Sequence, residues 1–480
     1  MTVSKRIATM ALLVIASFIP LAANAGASSH VVSKSCGVDC KFSTKELPAN
    51  SGPNFNAYDE VDTINCPSSS FCLVAGIEQS KRISLNHLVM PASASIWNGK
   101  KWQASILTSK TSGQDQVSSA SCPSVSFCVV GGTNVVGASR FLPFASAYRK
   151  GKWSTAYVFG GDLPITNGQV SAVNCVSSTF CVAAGNATYG NEFVKPVLSE
   201  WNGSSWTSLD VPNSYEDTIK NSSSTGYDSV ACTSTTSCDV VGSYQLSNDS
   251  QIGIVAALRG SSWSFQAFSS FLGAGTSVFN NPWQIDCVSS NFCVIVGSEE
   301  FTNGSHAFVA TFANGKWNHQ LLVANLDAND AGITNSIACT SQSFCLASGT
   351  YGPKGDYGSS RPFTATWNGQ VWTTNTNLDF PTMNSLSSVN NDGLACYSSR
   401  FCAMGTTMTS VNNNSYPMIS LFNGKSWSTV TVARNIGESN GFQNLLTQIA
   451  CPSSHLCIGV GFDDLTSIGG ESWVATMKTN

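Results

Sequence analysis

Short apolar runs separated by polar turns recur along this chain, and they alternate as β-strands do. In Val-Ser-Ala-Val-Asn-Cys175-Val-Ser-Ser-Thr-Phe-Cys181-Val-Ala-Ala-Gly185, two β-branched segments flank a polar turn, which predicts a tight antiparallel hairpin. The second run is apolar on both faces, as in Phe71-Cys72-Leu73-Val74-Ala75 and Phe292-Cys293-Val294-Ile295-Val296, the pattern of a strand covered on both sides. Two more extended runs follow. In the second unit the four strands are expected at Val117 to Cys122, Phe127 to Gly131, Phe144 to Tyr148 and Trp153 to Phe159, named A to D from the inside outward. The C to D connection carries Asn98-Gly99, Asn202-Gly203, Asn314-Gly315, Asn368-Gly369 and Asn423-Gly424, a hairpin signal because both turn positions favour positive φ.

The pattern occurs eight times. Each unit is marked by two cysteines six residues apart: Cys66/Cys72, Cys122/Cys128, Cys175/Cys181, Cys232/Cys238, Cys287/Cys293, Cys339/Cys345, Cys396/Cys402 and Cys451/Cys457, with units starting 52 to 57 residues apart. Strand-rich repeats of that period predict an all-β fold, an eight-bladed β-propeller of four-stranded antiparallel blades. The eighth unit has no strand D, since Glu471 to Asn480 matches strand C and ends the chain. Lys41 to Pro48 resembles Lys152-Trp-Ser-Thr-Ala-Tyr157, so the N-terminal strand is expected to close the last blade. Residues 41–480 number 440, eight times 55, and are read as a single domain.

Lys5 and Arg6, the apolar run Ile7 to Ala22 and Ala23-Asn24-Ala25 have the layout of a secretory leader over residues 1–25, with cleavage expected after Ala25. No later run approaches a membrane span, so a secreted, extracellular or cell-surface protein without membrane insertion is expected. In that compartment the paired cysteines are expected to be disulfides. Zinc fits them less well, because each unit offers two thiols separated by five residues and the chain has only five histidines. Closing a loop of about seven residues contributes roughly 2 kcal/mol per bridge in the chain-entropy model. Cys36 and Cys40, in the preceding segment 26–40, are expected to bridge each other.

Hydrophobic residues make up 42% and charged residues 11% of the chain, whose net charge is −4. Loss of the leader would leave 22 Lys and Arg against 28 Asp and Glu, with no basic cluster, which argues against nucleic acid as a partner. Tryptophans follow the C to D turn at Trp102, Trp153, Trp206, Trp263, Trp317, Trp372 and Trp427, and precede it at Trp97, Trp201 and Trp367, and are expected to wedge between sheets. The Gly ending strand B (Gly131-Gly132, Gly185, Gly297) and the later Trp loosely resemble kelch-type blades. Cys-x-Ser-x-x-Phe-Cys with Trp-Asn-Gly-x-x-Trp resembles a family of secreted bacterial propeller repeats over nearly the whole mature chain. Most of these units have one Gly where kelch blades have two, and the resemblance implies no active site.

The A to B and C to D turns are short, whereas B to C and D to A connections such as Gly76 to Pro91, Gly349 to Pro362, Gly405 to Pro417 and Trp206 to Tyr227 are long, so recognition is expected on the long-loop rim. Four residues before the first cysteine of each unit stand Asp62, Ser118, Ser171, Asp228, Trp283, Asn335, Asp392 and Thr447. Trp283 is expected to stack on a sugar or aromatic ligand while Asp62, Asp228 and Asp392 accept its hydroxyl hydrogens; solvated strand ends and a locally packed Trp are the alternative. Tyr357 and Arg361, in the loop Tyr351 to Arg361, form a second candidate contact surface or an ordinary loop. Asp327-Ala-Asn329-Asp330 begins like a calcium loop, but its twelfth position is Ala338, so no metal is expected. Six sequons, at Asn186, Asn202, Asn221, Asn248, Asn303 and Asn413, matter only in a glycosylating host.

No nucleophile elbow, metalloprotease helix or phosphate loop is present, and His30, His87, His306, His319 and His455 pair with no nucleophile at a catalytic spacing. A non-catalytic, monomeric, cofactor-free module that binds a glycan, envelope component or extracellular protein is expected. A polysaccharide-cleaving enzyme, with Arg82, Arg140 and Arg361 holding an acidic sugar, is the alternative, as is a purely structural surface protein.

Overall fold

The computed structural model describes residues 40–47, 59–78, 81–84, 87–108, 114–137, 140–159, 165–189, 194–209, 225–245, 251–268, 279–301, 304–323, 330–353, 360–378, 386–411, 414–432, 443–466 and 469–479. The fold is all-β and repeats one four-stranded antiparallel unit along the chain. In the second unit strand A is Gln116–Ser124, B is Phe127–Val136, C is Arg140–Arg149 and D is Lys152–Tyr157. Strands B and C run longer than their apolar cores predict, because the ladder continues past Gly132 toward the long-loop rim. Strand D stops at Tyr157 instead of Phe159, which turns away with a φ of 61° and is fully buried. The Gly76 to Pro91 connection contains a hairpin of its own, Lys81–Ser84 with His87–Val89.

Each strand A pairs only with its own strand B, apart from two single bridges, yet it packs against the A strands on both sides. These contacts run in a cycle, and Asp59–Ser68 of the first unit touches both Gln116–Ser124 of the second and Gln443–Ser453 of the eighth. The strand Cys40–Glu46 pairs antiparallel with Gly469–Thr479, supplying the fourth strand of the last unit. The two parallel bridges, Phe141 with Asn167 and Gln251 with Phe279, merge two pairs of neighbouring units into eight-stranded sheets.

Strand B is the core of every unit; Phe71–Glu78 and the first eight residues of Phe127–Val136 are buried throughout. Its neighbours cover both faces: Leu73 and Ala75 pack toward Val117 and Val130 of the second unit, while Val74 packs with Val460 and Val474 of the eighth. Cross-strand aromatic pairs close C to D hairpins, with Trp97 to Trp102 at 5.7 Å, Trp201 to Trp206 at 5.5 Å and Trp367 to Trp372 at 5.8 Å between ring centroids. Two indoles also bridge units: Trp263 Nε1 donates to Glu200 Oε1 at 2.7 Å and Trp372 Nε1 to Thr311 Oγ1 at 2.9 Å.

Eight disulfides lie within their own hairpins, at Cα separations of 3.9 to 4.1 Å. They join Cys66 to Cys72, Cys122 to Cys128, Cys175 to Cys181, Cys232 to Cys238, Cys287 to Cys293, Cys339 to Cys345, Cys396 to Cys402 and Cys451 to Cys457. The first cysteine of each pair sits on strand A and the second on strand B, where both faces are covered. Cys72, Cys128, Cys181, Cys238, Cys293, Cys345, Cys402 and Cys457 are accordingly 0% exposed, so these eight are core residues and no ligand can reach them. The side chains of Cys36 and Cys40 lie outside the described residues.

An inner strand with no ladder partner on one edge leaves backbone N–H groups that need acceptors. Side chains of the adjoining inner strand supply them. Asn65 Oδ1 accepts the Cys122 N–H at 3.3 Å, Ser121 Oγ the Cys175 N–H at 2.9 Å, Asn174 Oδ1 the Cys232 N–H at 3.1 Å and Asp286 Oδ2 the Cys339 N–H at 2.7 Å. One step along, Ser119, Ser229, Gln284 and Gln448 accept the N–H groups of Val173, Ile285, Ile337 and Ile64.

Candidate functional site

The residues four before each first cysteine share one backbone property. In every unit the A to B ladder skips that residue: the register jumps from Val61 to Thr63, Val117 to Ser119, Val170 to Ala172, Tyr227 to Ser229, Pro282 to Gln284, Thr334 to Ser336, Asn391 to Gly393 and Leu446 to Gln448. Asp62, Ser118, Ser171, Asp228, Trp283, Asn335, Asp392 and Thr447 are therefore eight equivalent β-bulge residues, one on each inner strand. A bulge re-aims its side chain out of the pleat and is common beside binding sites.

The glycines of strand B make the bulge possible. A Cβ on Gly76, Gly132, Gly185, Gly242, Gly297, Gly349 or Gly461 would fall well inside contact distance of the carbonyl oxygen two residues before the bulge, from Glu60, Gln116, Gln169, Gly226, Asn281, Ile333 and Leu445 respectively. The seventh unit differs, since Gly405 there faces the Leu446 side chain.

Asp228 and Trp283 occupy this position on adjoining inner strands, Gly226–Ser234 and Phe279–Ser289, and both are exposed, Trp283 at 41%. Asn335 follows on the next strand, its Oδ1 without a hydrogen bond. Across the cycle the Thr447 hydroxyl donates to the Val61 carbonyl at 2.6 Å. The surrounding protein raises the Asp228 carboxyl to about 7 by desolvation, while its direct contact with water moderates that effect. Burial pushes Asp62 well above the usual carboxylate range, and the neighbouring Glu60 charge adds to the shift.

The eight inner strands carry Asp59, Glu60, Asp62, Asp228, Asp286, Asp330 and Asp392 but no Lys, Arg or His. Their ionisable side chains are all acidic. Asp286 is not a ligand candidate, because its carboxylate caps the Cys339 N–H.

The other candidate residues separate from this group. Arg361 is exposed and opens strand C of the sixth unit, two strands outward from the inner one, or about 10 Å at the usual strand spacing. Arg140 likewise opens a strand C. Tyr357, the Arg82 side chain and the Asp392 side chain lie outside the described residues, as do Asp327 and Asn329; Asp330 begins an inner strand. Asp239 lies close to Cys287 and Cys293, but both sulfurs are in a disulfide, so the group offers no thiolate to a metal. Instead Asp239 pairs with Arg259 at 2.9 Å. Among the described residues no helix is long and apolar enough to cross a membrane.

No protein-family model matches the chain. No curated protein matches it either. Solved structures resemble it at low identity. The β-propeller domain of the Trilobed protease from Pyrococcus furiosus is 7% identical, with 75% of this chain and 95% of that one covered and a TM-score of 0.40. An ulvan lyase, a polysaccharide lyase, is 10% identical over 89% of this chain and 92% of that one, with a TM-score of 0.40. The BP39L lectin from Burkholderia pseudomallei is 11% identical over 74% of this chain and 94% of that one, with a TM-score of 0.40. At these identities the likeness concerns the fold alone.

Proposed function

We propose that the chain is a closed eight-bladed propeller, exported to an oxidising compartment, that binds a glycan at the mouth of its central shaft without cleaving it. The cyclic packing of the inner strands supports closure, and the eight disulfides suit an oxidising compartment. The observation that carries the binding reading is the exposed Trp283 beside the exposed Asp228 at equivalent bulges of adjoining strands. An indole face covers the C–H face of a sugar, and a carboxylate accepts its hydroxyl hydrogens. Asn335 adds an amide on the other side, and Asp62 adds an acceptor at the equivalent bulge of the first unit. Inner strands rich in carboxylates and free of basic residues favour neutral or amino-bearing glycans over acidic ones, and disfavour nucleic acid.

A glycan array with parallel reducing-sugar assays tests this reading. Binding without product, lost in Trp283→Ala, is the expected result; unchanged binding by the variant rejects the site, and silence in both assays favours a structural role. The catalytic alternative draws on the Asp228 carboxyl, which desolvation raises above its ordinary value and which would suit a proton donor at neutral pH. Product release abolished by Asp228→Asn would establish that alternative.

A further inference from the structure

We propose that the short-turn rim, at the end of the sheets opposite the long loops, is a docking surface for a linear acidic polysaccharide. In an antiparallel meander the A to B and C to D turns share one end of the sheet, so both sets of short connections lie on this rim. Neighbouring units meet there. Arg149 of the second unit donates to the Ser178 and Gly203 carbonyls, at 2.8 and 2.6 Å, in the two turns of the third.

The chain as a whole is acidic, with 28 Asp and Glu against 24 Lys and Arg, yet the exposed charge of this rim has the other sign. Lys100 and Lys101 stand on the C to D hairpin of the first unit, Lys150 and Lys152 on that of the second, Lys425 on that of the seventh, and Lys478 near the end of strand C of the eighth. All six are exposed. Arg400, on the A to B turn of the seventh unit, is exposed too and lies against Gly424, beside Lys425. The acidic residues at this end are tied inward: Glu200 accepts the Trp263 indole N–H, Asp239 pairs with Arg259, and Asp286 caps the Cys339 N–H. Among the described residues no exposed Asp or Glu stands on these turns.

A reading along the chain finds no basic cluster because each hairpin contributes one or two residues; the cycle of units brings them together. The seventh, eighth, first and second units follow one another in it, so these cations form a single arc. The turns of the third and sixth units carry no charged residue, and those of the fifth carry only Lys316.

The arc selects the partner. A flat anionic bilayer would meet the turns of all units alike, whereas the cations follow one side of the rim. Duplex nucleic acid carries one charge per about 1.7 Å, far denser than one or two cations per unit. The first and second units also expose no aromatic ring at these turns for a base to stack on. A polysaccharide with a carboxylate on each sugar, or on every other one, is a sparsely charged strand that can follow an arc. Lysine ammonium groups suit it, since isolated carboxylates need charge rather than a planar fork. The exposed hydroxyl pairs of Ser68 with Ser70 and Ser124 with Ser126 supply hydrogen bonds for its sugar hydroxyls.

Binding of the full chain to immobilised polygalacturonate, dextran, phosphatidylglycerol vesicles and a thymidine oligonucleotide tests the surface. The expected result is preferential binding to polygalacturonate that weakens about tenfold or more from about 50 to about 300 mM NaCl, because salt screens exposed charges. Lys100→Glu, Lys101→Glu, Lys150→Glu and Lys152→Glu combined should weaken it about tenfold at the lower salt, with the melting temperature as the check on folding. Lys425→Glu with Lys478→Glu, on the other half of the arc, should weaken it in the same direction, while Lys316→Glu, on the same rim but outside the arc, should leave it unchanged. Equal binding to dextran, tighter binding to the vesicles or the oligonucleotide, or an equal loss in Lys316→Glu overturns the proposal. So does the lack of salt-sensitive binding by the unsubstituted protein, which needs no variant to fold.

Discussion

Gln448 accepts the Ile64 N–H at 2.6 Å, although 384 residues separate them in sequence. The same side-chain oxygen takes the Thr63 hydroxyl at 2.9 Å. The link has the geometry that Gln284 uses toward Ile337 between the fifth and sixth units, so the seam joining the two ends of the chain is built like an interior boundary.

Gln448→Leu and Gln284→Leu should therefore destabilise the protein alike, by about 1 to 3 kcal/mol each, because each leaves a backbone N–H without its acceptor. Urea unfolding monitored by tryptophan fluorescence measures both. A cost at Gln284 with none at Gln448 would mean that the seam is open in solution.

Gly132→Ala should cost more than about 2 kcal/mol, since its new methyl would collide with the Gln116 carbonyl and force the bulge at Ser118 to move. Gly137→Ala is the control. That residue has a φ of 70° but nothing within 4 Å of the added Cβ, so only about 1 kcal/mol of backbone cost is expected. Equal losses in thermal unfolding would contradict the close-approach explanation for glycine in strand B.

The hairpins, the cysteine pairing and the Trp positions are legible in the sequence because they are local: a period of two, an Asn-Gly turn and a spacing of six each act within a few residues. The eight candidate positions are legible only as an offset from Cys66 and its equivalents. That Asp228 and Trp283 are bulges depends on the partner strand, where Gly242 and Gly297 admit a carbonyl from two residues before each bulge. A resemblance to kelch blades marks those glycines without giving this reason. The role of Gln448 has no local sign, since its partner lies at the other end of the chain. Sequence reasoning groups Arg361 with Trp283 because both fall near the long-loop rim, but strand order places Arg361 two strands outward.

Stability should depend on pH through Asp228. Desolvation raises its folded-state value from the ordinary 3.8 toward about 7, as far as its contact with water allows, so between those values the folded protein holds a proton that the unfolded chain releases. This contribution is complete below about pH 4, is lost as pH rises toward 7 and is constant above that. Asp228→Asn abolishes the dependence, so the variant should gain melting temperature relative to the unsubstituted protein on going from about pH 4 to about pH 8. A difference that stays constant across this window would place the Asp228 carboxyl in ordinary solvent.

Hydroxyl-radical footprinting of Trp283, with and without a bound glycan, is the sharpest probe of a ligand site at the shaft mouth. Trp283, Tyr157 and Tyr397 are all exposed and oxidisable in the free protein, but Tyr157 ends a strand D and Tyr397 lies beside the A to B turn of its inner strand, whereas Trp283 stands at the bulge four residues before its cysteine. Glycan should protect Trp283 and leave Tyr157 and Tyr397 unchanged. Protection of either tyrosine with Trp283 still fully reactive would contradict binding at the mouth.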